Sequence, residues 1–284
     1  MSGLLEVTFS VIALIRILSG DSFLEEKWKM DCMLTMGGYV KMAKSGMEFL
    51  KEKRYGQFIQ DGQLVAPANA ILLFCRVWDR LIEKGNKIVS PKEIVWINGA
   101  PGSGKGTNTR NVMRALNISL RPIVVSDLLN AEEFKMKIDQ GLLVDDEEVT
   151  FLVFKRIFEE GAGKGIIVDG YPRTKVQVEC VQLLLQQFKD TPPHMISINL
   201  LVDERTSIQR QLGRGEEAAK YNMKVRKTDS DPELAHLRYN KFLEETYPFL
   251  KSLRKFTTYY EIDTKGSPVE VRDRIYMTLA KKEL

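Results

Sequence analysis

A lysine closing a glycine-rich loop, a carboxylate at the end of an apolar run and arginines repeated along one helix face are residue types that handle phosphate. This chain carries all three. Residues 97–107 read INGAPGSGKGT. Gly99, Gly102 and Gly104 remove Cβ atoms where a backbone has to turn tightly and aim several N–H groups inward. Ala100, Pro101 and Ser103 complete the loop, and the helix expected after it adds partial positive charge. Lys105 supplies a full charge for β- and γ-phosphates. The next residue is Gly106 and the hydroxyl comes one later, at Thr107. That departs from the general pattern G-x-x-x-x-G-K-[ST].

The second signal is IIVDGYPRT at 166–174. An apolar strand ending in Asp169 places a carboxylate beside the phosphate loop, where it can hold Mg²⁺ directly or through water. The third lies beyond residue 203. Arg210 and Arg214 are four apart, hence on one face of a helix, and Arg226 and Arg238 follow across a polar segment. A planar, bidentate guanidinium suits phosphate oxygens better than an ammonium does. Phosphoryl transfer rests mainly on alignment and charge stabilisation. An acceptor that is already anionic needs no general base, which suits a chain whose histidines are His194 and His236 alone.

Together GAPGSGKGT, DGYPR at the end of a strand and the arginine-rich segment resemble the adenylate kinase family of nucleoside monophosphate kinases, over roughly residues 93–281. The resemblance implies reversible transfer of the ATP γ-phosphoryl group to a nucleoside monophosphate, AMP by expectation, with Mg²⁺. It implies that Lys105 and the Gly99–Thr107 backbone hold the donor phosphates and that Arg210 stacks on the donor base. Arg214, Arg226 and Arg238 would close over the transferring group as a lid at about 213–230, joining Lys105 as catalytic residues. Arg173 would grip the acceptor phosphate and Gln177 its base, with Ser126 and Asp127 of SDLLN in the acceptor site. The family has arginine where this chain has Asn130, and the acceptor lobe, about 126–145, is short. A pyrimidine monophosphate kinase and a non-catalytic nucleotide-binding sensor or scaffold therefore stay open as alternatives. The lid contains no cysteine, so a zinc-stabilised lid is not expected.

These residues need rigid elements behind them. Short apolar runs at Glu93–Ile97, Pro122–Val125, Gly165–Val168, Met195–Val202 and Thr257–Ile262 alternate with longer amphipathic stretches. That alternation predicts a doubly wound α/β fold with a five-stranded parallel sheet, whose ligands bind outside the carboxyl ends of the strands. The glycine and proline of GNKIVSPK, residues 85–92, divide the chain into a mainly helical N-terminal extension, 1–89, and a kinase domain, 90–284. Residues 37–84 show helical spacing, interrupted by a turn-like stretch at Gly56–Pro67. The apolar residues 7–18 are too few to span a bilayer and include Arg16. The extension reads as a stabilising appendage or a docking surface for a protein partner.

Composition fits that picture. The net charge of +4 over 284 residues comes without a long basic run, so nucleic acid is not a favoured partner. Cys32, Cys75 and Cys180 are odd in number and far apart, giving neither a disulfide framework nor metal-ligand spacing. A reducing, cytoplasmic compartment and a monomeric chain are expected.

Overall fold

A computed structural model describes residues 56–61, 63–83, 88–129, 144–223, 225 and 229–280. The expectations for residues 1–55, for Asn130 and most of the acceptor lobe, and for Arg226 lie outside them.

The turn-like stretch is a short 3₁₀ turn, Gly56–Phe58, followed by an antiparallel ribbon of β1 (Ile59–Gln60) and β2 (Gln63–Leu64). Helix α1 (Ala68–Glu83) follows. Strand β3 (Glu93–Gly99) then forms from EIVWING, which lacks the apolar–polar alternation of a half-wet strand because both its faces are covered. The loop 100–104 leads into α2 (Lys105–Ala115), and β4 (Ile123–Val124) runs into the short α3 (Val125–Leu128). Next come α4 (Asp146–Glu160), β5 (Gly165–Asp169), α5 (Lys175–Gln187) and β6 (His194–Leu201). Helices α6 (Glu204–Lys220) and α7 (Pro232–Lys241) lead through a π-helical turn, Phe242–Thr246, to α8 (Tyr247–Ser252). Strand β7 (Thr258–Asp263) and helix α9 (Pro268–Ala280) close the described chain.

The large sheet has the order β4-β5-β3-β6-β7, and every pairing in it is parallel. From central β3 the chain first fills one side, with β4 and β5, and then the other, with β6 and β7. The carboxyl end of β3 is thus the switch point where ligands settle in such sheets. Its register sets Ile97 against Asp169 and Gly99 against Leu200. The loop at Gly99 and the carboxylate of Asp169 therefore emerge side by side.

Alternate residues of each strand serve opposite layers. Ile94, Trp96, Ile166 and Val168 face α1, α4 and α5, whereas Val95, Ile97, Ile167 and Ile198 face α2 and α9. Helix starts are fixed by caps that the sequence carries. Asp145 accepts from the N–H of Glu148, Thr174 from that of Gln177, and Asp203 from that of Thr206.

The boundary expected near residue 89 does not separate two cores. Phe58, Phe74, Val77 and Leu81 are fully buried in the cluster that also holds Trp96, Phe154 and Tyr171. Phe74 stacks on Trp78 at 5.7 Å between ring centroids and meets Phe154 edge-on at 6.1 Å. Phe154 in turn meets Tyr171 at 6.2 Å, and Tyr171 meets Trp96 at 5.6 Å. Burying each such ring stabilises the fold by about 1.5–3 kcal/mol. Helix α1 is therefore a wall of the kinase core, one layer behind the turn that bears Arg173.

Candidate active site

The phosphate loop needs its glycines for two visible reasons. Gly99 has a φ of 153°, and a Cβ there would stand 2.5 Å from the carbonyl oxygen of Leu200. A Cβ on Gly102 would stand 2.5 Å from the carbonyl oxygen of Ser207 on α6. That close approach is fastened by the Ser207 hydroxyl, which donates to the Pro101 carbonyl at 2.7 Å. The loop and α6 are thus packed backbone to backbone.

Lys105 Nζ turns back into the loop, donating to the carbonyls of Gly99 at 2.6 Å and Ala100 at 3.2 Å. Burial lowers its pKa to about 8; Asp169 opposes that shift, and Arg173, Arg238 and Arg214 add to it. Lys105, Asp169 and the three arginines therefore interact electrostatically across the cleft. Asp169 is buried, which raises its pKa, while Lys105 and the Thr109 hydroxyl hold it down. Thr109 Oγ1 reaches Asp169 Oδ2 at 3.2 Å. No hydrogen bond from a described residue falls on Asp169 Oδ1. An acceptor oxygen beside a phosphate cradle fits a hard cation that takes its other ligands from phosphate and water. Among the described residues no group of three or more His, Cys, Asp or Glu side chains could hold a metal alone.

One cleft of about 730 Å³ gathers the loop residues Gly99 and Pro101–Thr107 with Ser126, Asp169, Arg173, Arg214 and Arg238. Ser103 sits fully buried, and its hydroxyl has no hydrogen-bond partner among the described residues. The turn that carries Arg173 is tied to β3 twice: Gly170 N–H donates to the Ile97 carbonyl and Asn98 Nδ2 to the Tyr171 carbonyl, each at 3.0 Å. Arg173 Nε donates to the Gly170 carbonyl at 2.7 Å, which folds the guanidinium over the glycine.

Other expected residues stand differently. Arg210 is held by protein carbonyls, with Nη2 donating to Thr264 O at 2.8 Å and Nη1 to Gly102 O at 3.3 Å. Its guanidinium bridges the phosphate loop and the β7–α9 loop. Ala100 is buried under the loop. Asp127 is exposed and faces Arg121 at 4.0 Å, at the edge of the cleft. The clearest departure is Gln177, which is buried with both ends of its amide in use. Its Oε1 accepts from the Arg173 N–H at 2.7 Å and its Nε2 donates to Asp146 Oδ1 at 2.8 Å. In this conformation it braces the Arg173 turn and presents no unbonded amide end to a base.

Three contributors escaped the sequence reading. Asp146 also accepts from the Thr174 hydroxyl at 2.9 Å and so pins the start of α4 to the start of α5. Asp229 binds Arg214 with both oxygens, at 2.7 and 2.8 Å. Gly215 lets the Asp229 backbone approach α6 so closely that any Cβ would overlap its carbonyl oxygen. A signal existed for Asp229 in the RKTDSD run, where acids follow a basic pair. Nothing in the local sequence distinguishes Gly215 from Gly213.

The adenylate kinase family model matches residues 97–258. The adenylate kinase of Bartonella bacilliformis is 36% identical over 160 residues, covering 54% of this chain and 82% of the relative. That of a Chelativorans species is 30% identical over 190 residues, covering 64% and 96%. The adenylate kinase of Thermococcus sibiricus is 28% identical over 214 residues, covering 64% and 91%. The matched segment runs from the strand that bears the phosphate loop to the start of the closing strand, and so includes the whole cleft. The chain belongs to the adenylate kinase family and is a phosphotransferase of the nucleoside monophosphate kinase type.

Proposed function

We propose that this protein transfers the γ-phosphoryl group of ATP to AMP, reversibly, giving two ADP. The observation that carries the reading is the convergence of Lys105, Arg173, Arg214 and Arg238 on one cleft that also holds the buried Asp169. The cations of the cleft outnumber the carboxylates that Asp169 and Asp229 set against them, and phosphate groups would compensate the remainder.

In this reading the Gly99–Thr107 backbone and Lys105 take the donor phosphates, Lys105 exchanging two loop carbonyls for phosphate oxygens. Arg210, anchored at Thr264, forms the floor for the donor base. Arg173 and the α3 start at Ser126 receive the acceptor phosphate, with Asp127 at the rim. Arg214 and Arg238, together with Arg226, neutralise the charge that spreads over the equatorial oxygens in the transition state. Asp169 Oδ1 would hold Mg²⁺, which would supply charge to offset that of the donor phosphates. The lid segment shields the cleft from water, which would otherwise compete as the acceptor.

AMP as acceptor draws its support from the relatives, which are named adenylate kinases, and from the DGYPR turn. The test is ADP formation from ATP with a panel of AMP, dAMP, CMP, UMP and GMP. AMP should show the highest kcat/KM. A kcat/KM for CMP or UMP about tenfold or more above that for AMP would replace this assignment with a pyrimidine monophosphate kinase. No turnover with any acceptor, despite ATP binding, would favour a sensor.

A further inference from the structure

The transfer cleft does not end at Asp169. Gly106, Val124 and Asp169 face both this cleft and a second groove of about 670 Å³ that runs along α2. Arg110 and Arg114 of α2 and Arg121 of the loop before β4 line the groove, and Asp169 is the one acidic residue among its described lining. Arg110 and Arg114 are exposed, and neither side chain makes an ion pair or hydrogen bond with a described residue. Arg121 meets Asp127 at 4.0 Å while remaining 88% exposed.

Locally this arrangement is unfavourable. Like charges four residues apart on a helix repel, and no acid stands in the first turn of α2 to offset them. Solvation alone would be served as well by neutral polar residues. Between the arginines Met113, Ile118 and Pro122 supply apolar wall, so the groove can seat more than a bare ion.

We propose that this groove is a second phosphate-binding subsite, for a phosphate group additional to those engaged in transfer. Guanidiniums on two sides of a groove give bidentate contacts to phosphate oxygens, which a single surface arginine does not. Two sources share that chemistry: a second phosphate carried by the acceptor nucleotide, and a free anion binding beside it. The proposal rests on the adjoining cleft being the transfer site. It is tested by binding, so its failure is separable from failure of AMP turnover.

The experiment compares the full chain with the Arg110→Gln/Arg114→Gln variant by titration calorimetry, using AMP, adenosine 3′,5′-bisphosphate and inorganic pyrophosphate. Pyrophosphate is added to protein already saturated with AMP and a non-hydrolysable ATP analogue. If the acceptor carries the phosphate, the bisphosphate binds wild type about tenfold or more tighter than AMP, and the variant loses that preference while keeping its AMP affinity. If a free anion is the ligand, pyrophosphate binds the saturated wild type and not the saturated variant. Unchanged binding of all three ligands in the variant overturns the proposal and leaves a solvated basic face. Loss of AMP affinity itself also overturns it, since the arginines would then belong to the transfer site. A thermal melt of the variant matching wild type confirms that both substitutions are borne by exposed positions.

Discussion

Asp229 holds Arg214 by both carboxylate oxygens, Oδ1 to Nη2 at 2.7 Å and Oδ2 to Nε at 2.8 Å, and lies 3.8 Å from Arg238. The carboxylate is only 4% exposed, whereas the Arg214 side chain is 46% exposed toward the cleft. One buried anion thus orients two cations that line the cleft. Replacing Asp229 by asparagine keeps the shape and removes the charge that orients them. We expect Asp229→Asn to lower kcat about 10- to 100-fold, the loss of one or two aligned charge-assisted contacts, with a smaller change in the KM for ATP. Steady-state kinetics of the folded variant check this. A change confined to KM would assign Asp229 to ground-state binding.

Two glycines on α6 separate packing from propensity. Gly213 has nothing within 4 Å of where a Cβ would stand, whereas a Cβ at Gly215 would overlap the Asp229 carbonyl. Alanine at an open helical site stabilises by about 0.4–1 kcal/mol. Gly213→Ala should therefore raise the melting temperature slightly. Gly215→Ala should lower it, by about 1–3 kcal/mol of stability, and should reduce turnover because the pair at Asp229 is displaced. Equal effects at both positions would mean that the α6–Asp229 approach is not rigid.

Much of the cleft was legible because its chemistry is local. The glycine loop, Asp169 and Arg173 each follow a strand within a few residues, so spacing alone brings them together once the strands are parallel. All five strand runs of the large sheet were legible from apolar content. What stayed hidden depends on contacts distant in the chain. The roles of Asp146 and Gln177 arise from a bond between residues 31 apart, and that of Gly215 from a backbone 14 residues on. The core that α1 shares with the residues after 89 was hidden for the same reason. An amphipathic helix announces that it buries a face, but not against which sheet.

Helix α1 gives that point a test. Phe74 is fully buried and starts the line of rings that passes through Phe154 to Tyr171, whose turn bears Arg173. Phe74→Ala should destabilise by about 3–5 kcal/mol, measured by denaturant unfolding. A fragment beginning at Ser90 should fail to fold as a cooperative unit. A soluble, fully active fragment would show that the segment before residue 89 is dispensable to the core.

Lys105 carries a pH signature. Its pKa of about 8 in the folded protein lies below the ordinary 10.5, because burial disfavours the ammonium. Between those values the unfolded chain holds a proton that the folded chain has released. The contribution of this group to stability therefore rises with pH from about 8 to about 10.5 and is flat below that window. Binding behaves oppositely. Donor phosphates bring negative charge against Nζ and favour its protonated form, so ATP binding draws a proton onto Lys105 where the empty site has lost it. ATP affinity should weaken as pH rises above about 8, and binding near pH 9 should be accompanied by proton uptake that is absent at pH 7. Calorimetry in two buffers of different ionisation enthalpy reads that uptake directly, since the apparent heats diverge in proportion to the protons exchanged. Lys105→Met should abolish the divergence near pH 9 while leaving circular dichroism unchanged. Proton uptake that persists in Lys105→Met would assign the titrating group elsewhere in the cleft.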